Sequence, residues 1–193
     1  MNFGEAYLDH YEKFMKRNPA QSWTYKADGP TLQILAYDGI FERCRVFVTL
    51  GLTHFRERLG DIVEVVTVAD DGLEDVPSVL GHACLYVATE GQGFAPGRAM
   101  SGVENINGAF AREIQKSALY FSEVQGFPPE FGIVCATPEH GRIANAMFIS
   151  AAEFAALRDF GPEEFESALT RQHVDPFALR RPSAIFEGPS SRQ

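Results

Sequence analysis

The stretch between Leu32 and Val68 constrains the fold most. It holds three apolar runs, at 32–37, 44–50 and 62–68, rich in the β-branched and aromatic side chains that fit a pleated surface. In the later runs both faces are apolar: Val46 and Val48 alternate with Phe47, and Val66 and Val68 with Val65. Strands of this kind lie centrally in a sheet that is covered on both sides. Asp38-Gly39 separates the first two runs and tolerates the positive φ of a tight reversal, which predicts an antiparallel hairpin with a loop longer than two residues. At roughly 1.5–3 kcal/mol per fully buried Val, Leu, Ile or Phe, this segment supplies much of the folding drive.

Flanking patterns extend the sheet and cover it. Residues 3–17 predict an amphipathic helix through Phe3, Tyr7, Tyr11, Phe14 and Met15, ended by Asn18-Pro19. Residues 22–26 alternate as a short edge strand does, and Asp28-Gly29-Pro30 then turns the chain. Asp70-Asp71-Gly72 predicts a turn and Asp75 a helix cap, followed by a stripe through Val76, Val79, Leu80, Ala83, Cys84 and Val87. Residues 91–109 carry Gly91, Gly93, Gly97, Gly102 and Gly108 and read as one long loop, a natural place for a binding surface. Further strands are expected at 118–121, 133–135 and 143–149, with Pro138-Glu139-His140-Gly141 as a connection. Ser150 and Glu153 form a capping-box pattern, and Gly161-Pro162 restarts the helix that it opens. Residues 173–181 read as irregular, held by Phe177 and Leu179. The fold class expected is α/β (α+β): a mixed, mainly antiparallel central sheet flanked by helices.

A chain of 193 residues has room for one sizeable core, so a single domain over 1–186 is expected, with a disordered polar tail at 187–193. No apolar run approaches the ~20 residues that span a bilayer, and no basic-then-apolar leader is visible, so a cytoplasmic protein without a membrane role is expected. Cys44, Cys84 and Cys135 each lie in apolar context and read as buried reduced thiols.

Little in the chain specifies a reaction. His10, His54, His82, His140 and His173 show no metal-ligand spacing to one another or to the cysteines. Gly91-Gln92-Gly93 follows a helix, and Pro96 occupies the place of the third glycine of a dinucleotide fingerprint. Ser101 lacks the glycines of a nucleophile elbow, and His82 points away from Cys84 on a helix. No catalytic residue, cofactor or metal is therefore expected. The formal charge is −9, and between residues 61 and 90 stand Asp61, Glu64, Asp70, Asp71, Glu74, Asp75 and Glu90 with no Lys or Arg. Such a face repels nucleic acid and suits a basic protein partner. Asp70, Asp71 and Glu74 are its candidate partner contacts, joined by Tyr86 and, from the adjacent loop, Arg98 and Asn105. Two alternatives stand beside this reading. One is a small-molecule enzyme with a site formed by Tyr86, Arg98, Asn105 and His82 around the 91–109 loop. The other is a self-associating structural or regulatory protein.

The order of several short motifs resembles a bacterial suppressor-of-fused domain. They are Tyr7 to His10, Thr49-Leu50-Gly51-Leu52-Thr53, Ala118-Leu119-Tyr120-Phe121, Ile149-Ser150 with Glu153, Asp175-Pro176-Phe177, and Arg180-Arg181-Pro182-Ser183. The likeness runs from about Phe3 to Ile185. It implies a mixed α/β sheet domain that binds proteins without catalysis. Animal members restrain zinc-finger transcription factors by gripping a peptide strand between two domains; many bacterial members lie near polymorphic toxin genes and are thought to be immunity proteins. The resemblance makes Tyr86, in Leu85-Tyr86-Val87, a candidate beside the peptide site. It aligns Phe94-Ala95-Pro96-Gly97-Arg98 with the following loop, where Arg98 replaces the family's aspartate. The length implies that the second domain of the animal clamp is absent. A basic toxin domain is the partner that the bacterial resemblance suggests.

Overall fold

The computed structural model describes residues 2–26, 29–136 and 139–186. The Asp28 part of the first turn, Pro138 and the 187–193 tail lie outside the described residues. The chain begins with α1 (Phe3–Met15), whose N-cap Asn2 side chain accepts from the Gly4 amide. It ends two residues earlier than the sequence pattern suggests, because Lys16 turns left-handed at φ 54°. Next come β1 (Gln21–Lys26), β2 (Thr31–Asp38) and β3 (Cys44–Leu50). A 3₁₀ turn at Leu52–Phe55 leads through the one-turn α2 (Arg56–Leu59) to β4 (Val63–Asp70) and α3 (Val76–Glu90). The remainder is β5 (Ala99–Ser101), α4 (Val103–Ile106), α5 (Gly108–Ile114), β6 (Ala118–Ser122), β7 (Ile133–Ala136), β8 (Glu139–Ile149) and α6 (Ala151–Arg171).

These strands form one sheet of eight in the order β1-β2-β3-β4-β8-β6-β5, with β7 also paired to β8. Every pairing is antiparallel except β4 with β8, where Val63 lies opposite Arg142 and Val66 opposite Asn145. Because successive side chains of a strand point to opposite faces, the alternating residues of β2–β4 feed two cores. Ile34, Phe47 and Val65 pack with Val79, Leu80 and Cys84 of α3 and with Phe110 of α5. Leu35, Val48 and Val66 pack instead with Tyr7, Tyr11 and Met15 of α1. A third cluster on that side joins Tyr120, Met147 and Ile149 to Leu157 and Phe165 of α6. The mixed, mainly antiparallel sheet flanked by helices is thus present, and its three central strands are covered on both faces.

Several local expectations need correction. Residues 91–109 are not one loop: they hold β5, α4 and the first residues of α5, with Phe94, Met100 and Val103 buried. The glycines there take positive φ at Gly91, Gly93, Gly97 and Gly102, so they are corners between very short elements. Residues 139–142 are not a connection but the start of β8, paired to β7. Asp75 stands at the N-cap of α3 in a helical conformation and makes no side-chain cap bond. Of the thiols, Cys84 is buried, Cys44 half-buried and Cys135 exposed.

Candidate functional site

Two buried carboxylates, Glu64 and Glu153, explain motifs that the sequence presents. Glu64 of β4 is completely buried and accepts from the Thr49 hydroxyl at 2.6 Å, the Gly51 amide at 2.8 Å and the Thr53 amide at 3.2 Å. It therefore holds the 49–53 turn. Gly51 is required there, since a Cβ would stand 2.4 Å from the Thr31 carbonyl oxygen. Burial pushes the Glu64 carboxyl above its ordinary pKa, against the opposing bonds from Thr49 and the turn amides. Glu153 closes a capping box with Ser150 and also bonds Arg181 and the Ala184 amide, the latter at 2.9 Å. Burial pushes this carboxyl up too, but the Arg181 guanidinium and the Ala184 and Ser150 amides outweigh it and hold Glu153 below its usual range. Lys116, also buried, donates to the Arg181 carbonyl at 2.8 Å. Tyr7 of α1 donates from its hydroxyl to the carbonyls of Ile62 and Arg142, tying the helix to the parallel β4–β8 pair.

The acidic stretch does not make one face. Glu64 is internal, Asp61 is paired with Arg142 at 2.6 Å, and Asp70 accepts the Leu179 amide at 2.7 Å. Asp71, Glu74 and Asp75 remain exposed around the start of α3, where negative charge also suits the helix dipole. Glu90 is exposed at the far end of that helix, about 20 Å away at 1.5 Å per residue. The expected acidic rim of seven thus contracts to a corner of three: Glu64 lies inside a strand covered on both faces, Asp61 and Asp70 are taken up by Arg142 and the Leu179 amide, and Glu90 stands at the other end of α3.

The other candidates sit along the opposite end of α3. Gly81 lets the helix approach β1 so closely that a Cβ would lie 2.6 Å from the Tyr25 ring. His82 then meets Tyr25 edge-on at 5.1 Å and leans on the Ser78 carbonyl, so it is a packing residue. One turn later Tyr86 is 50% exposed, a rare position for a large aromatic among the described residues. Gly91 ends the helix left-handed, and the chain drops Phe94 against Phe121 with ring centroids 5.1 Å apart. The Gly97 amide donates to the Phe121 carbonyl and the Phe121 amide to the Arg98 carbonyl, which aligns β5 at the end of the sheet. Beyond β5 no strand follows among the described residues. Arg98 is exposed and donates to the Gln92 carbonyl at 2.7 Å; Asn105 is exposed on α4. Tyr86 near the end of α3, Arg98 just before β5 and Asn105 on α4 are each exposed, whereas Asp70, Asp71 and Glu74 precede the start of α3. A cavity that touches Arg98 measures about 80 Å³, lined in part by Val87, Met100 and Phe121. Among the described residues no cluster of His, Cys, Asp or Glu could hold a metal ion, and no helix is long and apolar enough to cross a membrane.

Comparison with solved structures decides the fold. A protein of Neisseria gonorrhoeae described as a suppressor-of-fused homologue superposes with a TM-score of 0.76 over 96% of this chain and 98% of its own, at 16% identity. This chain has the suppressor-of-fused fold. A chain from a Sufu-Fu complex matches at TM-score 0.66 and 14% identity, covering 93% of this chain and 91% of its own. Drosophila Suppressor of Fused matches at 0.64 and 13% identity, and there the likeness spans 50% of the longer chain. No protein-family model matches the sequence, and no curated protein does. In the suppressor-of-fused fold as this chain builds it, the residues that carried the resemblance are structural. Thr49 to Thr53 wrap Glu64, and Glu153, in a capping box with Ser150, holds Arg181.

Proposed function

We propose that this chain is a non-catalytic protein-binding domain, and that its partner docks on the unpaired edge of β5 and the exposed end of α3. One observation carries the reading. β5 is a short sheet edge with no further neighbour among the described residues; exposed Arg98 directly precedes it, exposed Asn105 follows on α4, exposed Tyr86 stands near the end of α3, and Phe94, Met100 and Phe121 are buried beneath. Exposed strand edges recruit extended segments, and half-exposed Tyr and Arg are common anchors of protein interfaces. A cavity of about 80 Å³ gives the enzyme alternative little room, since small-molecule pockets run to roughly 300–1,000 Å³. The family's partner-bound structure, a Sufu-Fu complex, supports the same reading.

At the finer level the proposed role is immunity: a basic toxin domain is captured and neutralised in the cytoplasm. The charge of −9 and the exposed Asp71, Glu74 and Asp75 support a cationic partner, and this corner would steer encounter more than hold the complex. Asp70 is withdrawn from the contact set because its carboxylate is spent on Leu179. The test is co-purification with the product of the neighbouring gene, followed by Tyr86→Ala with Arg98→Glu, and separately by Asp71→Lys with Glu74→Lys. The first pair is expected to slow nothing but to release the partner faster; the second, to lower a salt-sensitive association rate. Unchanged kinetics in both would refute the proposal.

A further inference from the structure

A second open edge lies at the opposite end of β8 from β6. β7 pairs with β8 alone, and its far side faces no strand among the described residues. Val134 and Ala136 turn inward under α1, whereas Ile133 is 59% exposed and Cys135 is exposed. Between β7 and α1 runs a trough of about 500 Å³. Its floor is aromatic: Phe14 meets Phe131 edge-on at 5.4 Å, and His10 stacks on Phe131 at 5.7 Å. The strand contains no Lys or Pro, the residues that usually blunt such an edge.

The rim tells what kind of strand fits. Asp9 and Glu130 line the trough, and neither forms an ion pair among the described residues. Lys13, the lining cation, has its ammonium 5.3 Å from the Phe14 ring centroid. His10 is bonded to the Phe131 carbonyl and burial lowers its pKa, so it adds no positive charge near neutrality. Glu139 stands at the far end of the β7–β8 pair. A second copy of this chain is a poor occupant. A two-fold pairing of β7 edges is antiparallel and sets the Glu130 end of one copy against the Glu139 end of the other, like charge on like charge.

We propose that the α1–β7 trough is a second docking surface, which takes a basic, extended segment of another protein as an added strand, apolar on the side that meets Ile133 and Phe14. The experiment uses the full chain and a synthetic peptide of alternating lysine and valine, followed by fluorescence anisotropy and by backbone NMR shifts. The expected result is salt-sensitive binding with the largest shifts at 133–136 and along α1. Asp9→Lys with Glu130→Lys should weaken it about ten-fold, roughly 1.4 kcal/mol, while Tyr86→Ala leaves it unchanged. Equal binding of a glutamate–valine peptide, shifts centred on β5, or indifference to the double reversal would overturn the proposal. So would self-association of the free chain that Ile133→Lys abolishes, since that would make the occupant a second copy.

Discussion

Replacing Arg181 by Met should unlatch the C-terminal segment from the sheet. The guanidinium is 7% exposed and bonds a carboxylate, Glu153, that is completely buried. Arg181→Met keeps an apolar stem of similar length but leaves Glu153 without its cation, retaining only the Ser150 and Ala184 amides. Breaking a buried pair from one side costs about 3–5 kcal/mol, a large share of the ~5–15 kcal/mol of a typical domain. With an m-value of about 1–3 kcal/mol per molar in urea, the unfolding midpoint should fall by about 2 M. The pH dependence gives a second readout. Glu153 has a folded pKa below its unfolded value, so its contribution is present above the unfolded carboxylate range and is lost as pH falls through the folded pKa. The variant should lose that acid-side slope. Equilibrium urea unfolding from pH 7 down to about pH 3 measures both. A loss under about 1 kcal/mol, the range of a solvated pair, would refute the reasoning.

Glu64 predicts the opposite sign. Its folded pKa is raised, so its contribution is fully present below the unfolded pKa and declines as pH rises through the folded one; Glu64→Gln should flatten that decline in thermal unfolding followed over the same pH range. Gly141→Ala should cost about 1–3 kcal/mol, because the new Cβ would lie 2.2 Å from the Tyr7 hydroxyl oxygen, and Tyr7→Phe in the same chain should recover part of the loss in denaturant titrations. Gly81→Ala should likewise lower the unfolding midpoint, and Tyr25→Ala should relieve the clash with the ring that a Cβ would meet at 2.6 Å.

The parts of the fold that were legible in sequence are those where one pattern runs long enough to dominate. β2, β3 and β4 could be read because their apolar alternation continues for seven or eight residues, and the start of α6 because Ser150 and Glu153 carry an unambiguous cap. β5 could not, since three residues between glycines offer no period to detect. The acidic rim failed for a reason visible in hindsight at Glu64: a lone carboxylate between Val63 and Val65, in a strand with no solvent face, had to be internal and hydrogen-bonded. Asp70 and Arg181 were harder. Their partners, Leu179 and Glu153, are distant in sequence, and pairings that close across the fold leave no local signature. Tyr86 and Arg98 were singled out in sequence through the resemblance and Asn105 through the glycine-rich 91–109 stretch, and all three are exposed; the α1–β7 trough could not be read, because β7 looks like a short ordinary strand until its missing neighbour is seen.

The most direct test of the binding role is hydrogen exchange on the chain alone and with its co-purified partner. Partner-dependent protection at 86–101, centred on the β5 amides and the end of α3, is the predicted result. Protection that spares those residues, or none at all in a complex that survives purification, would contradict it.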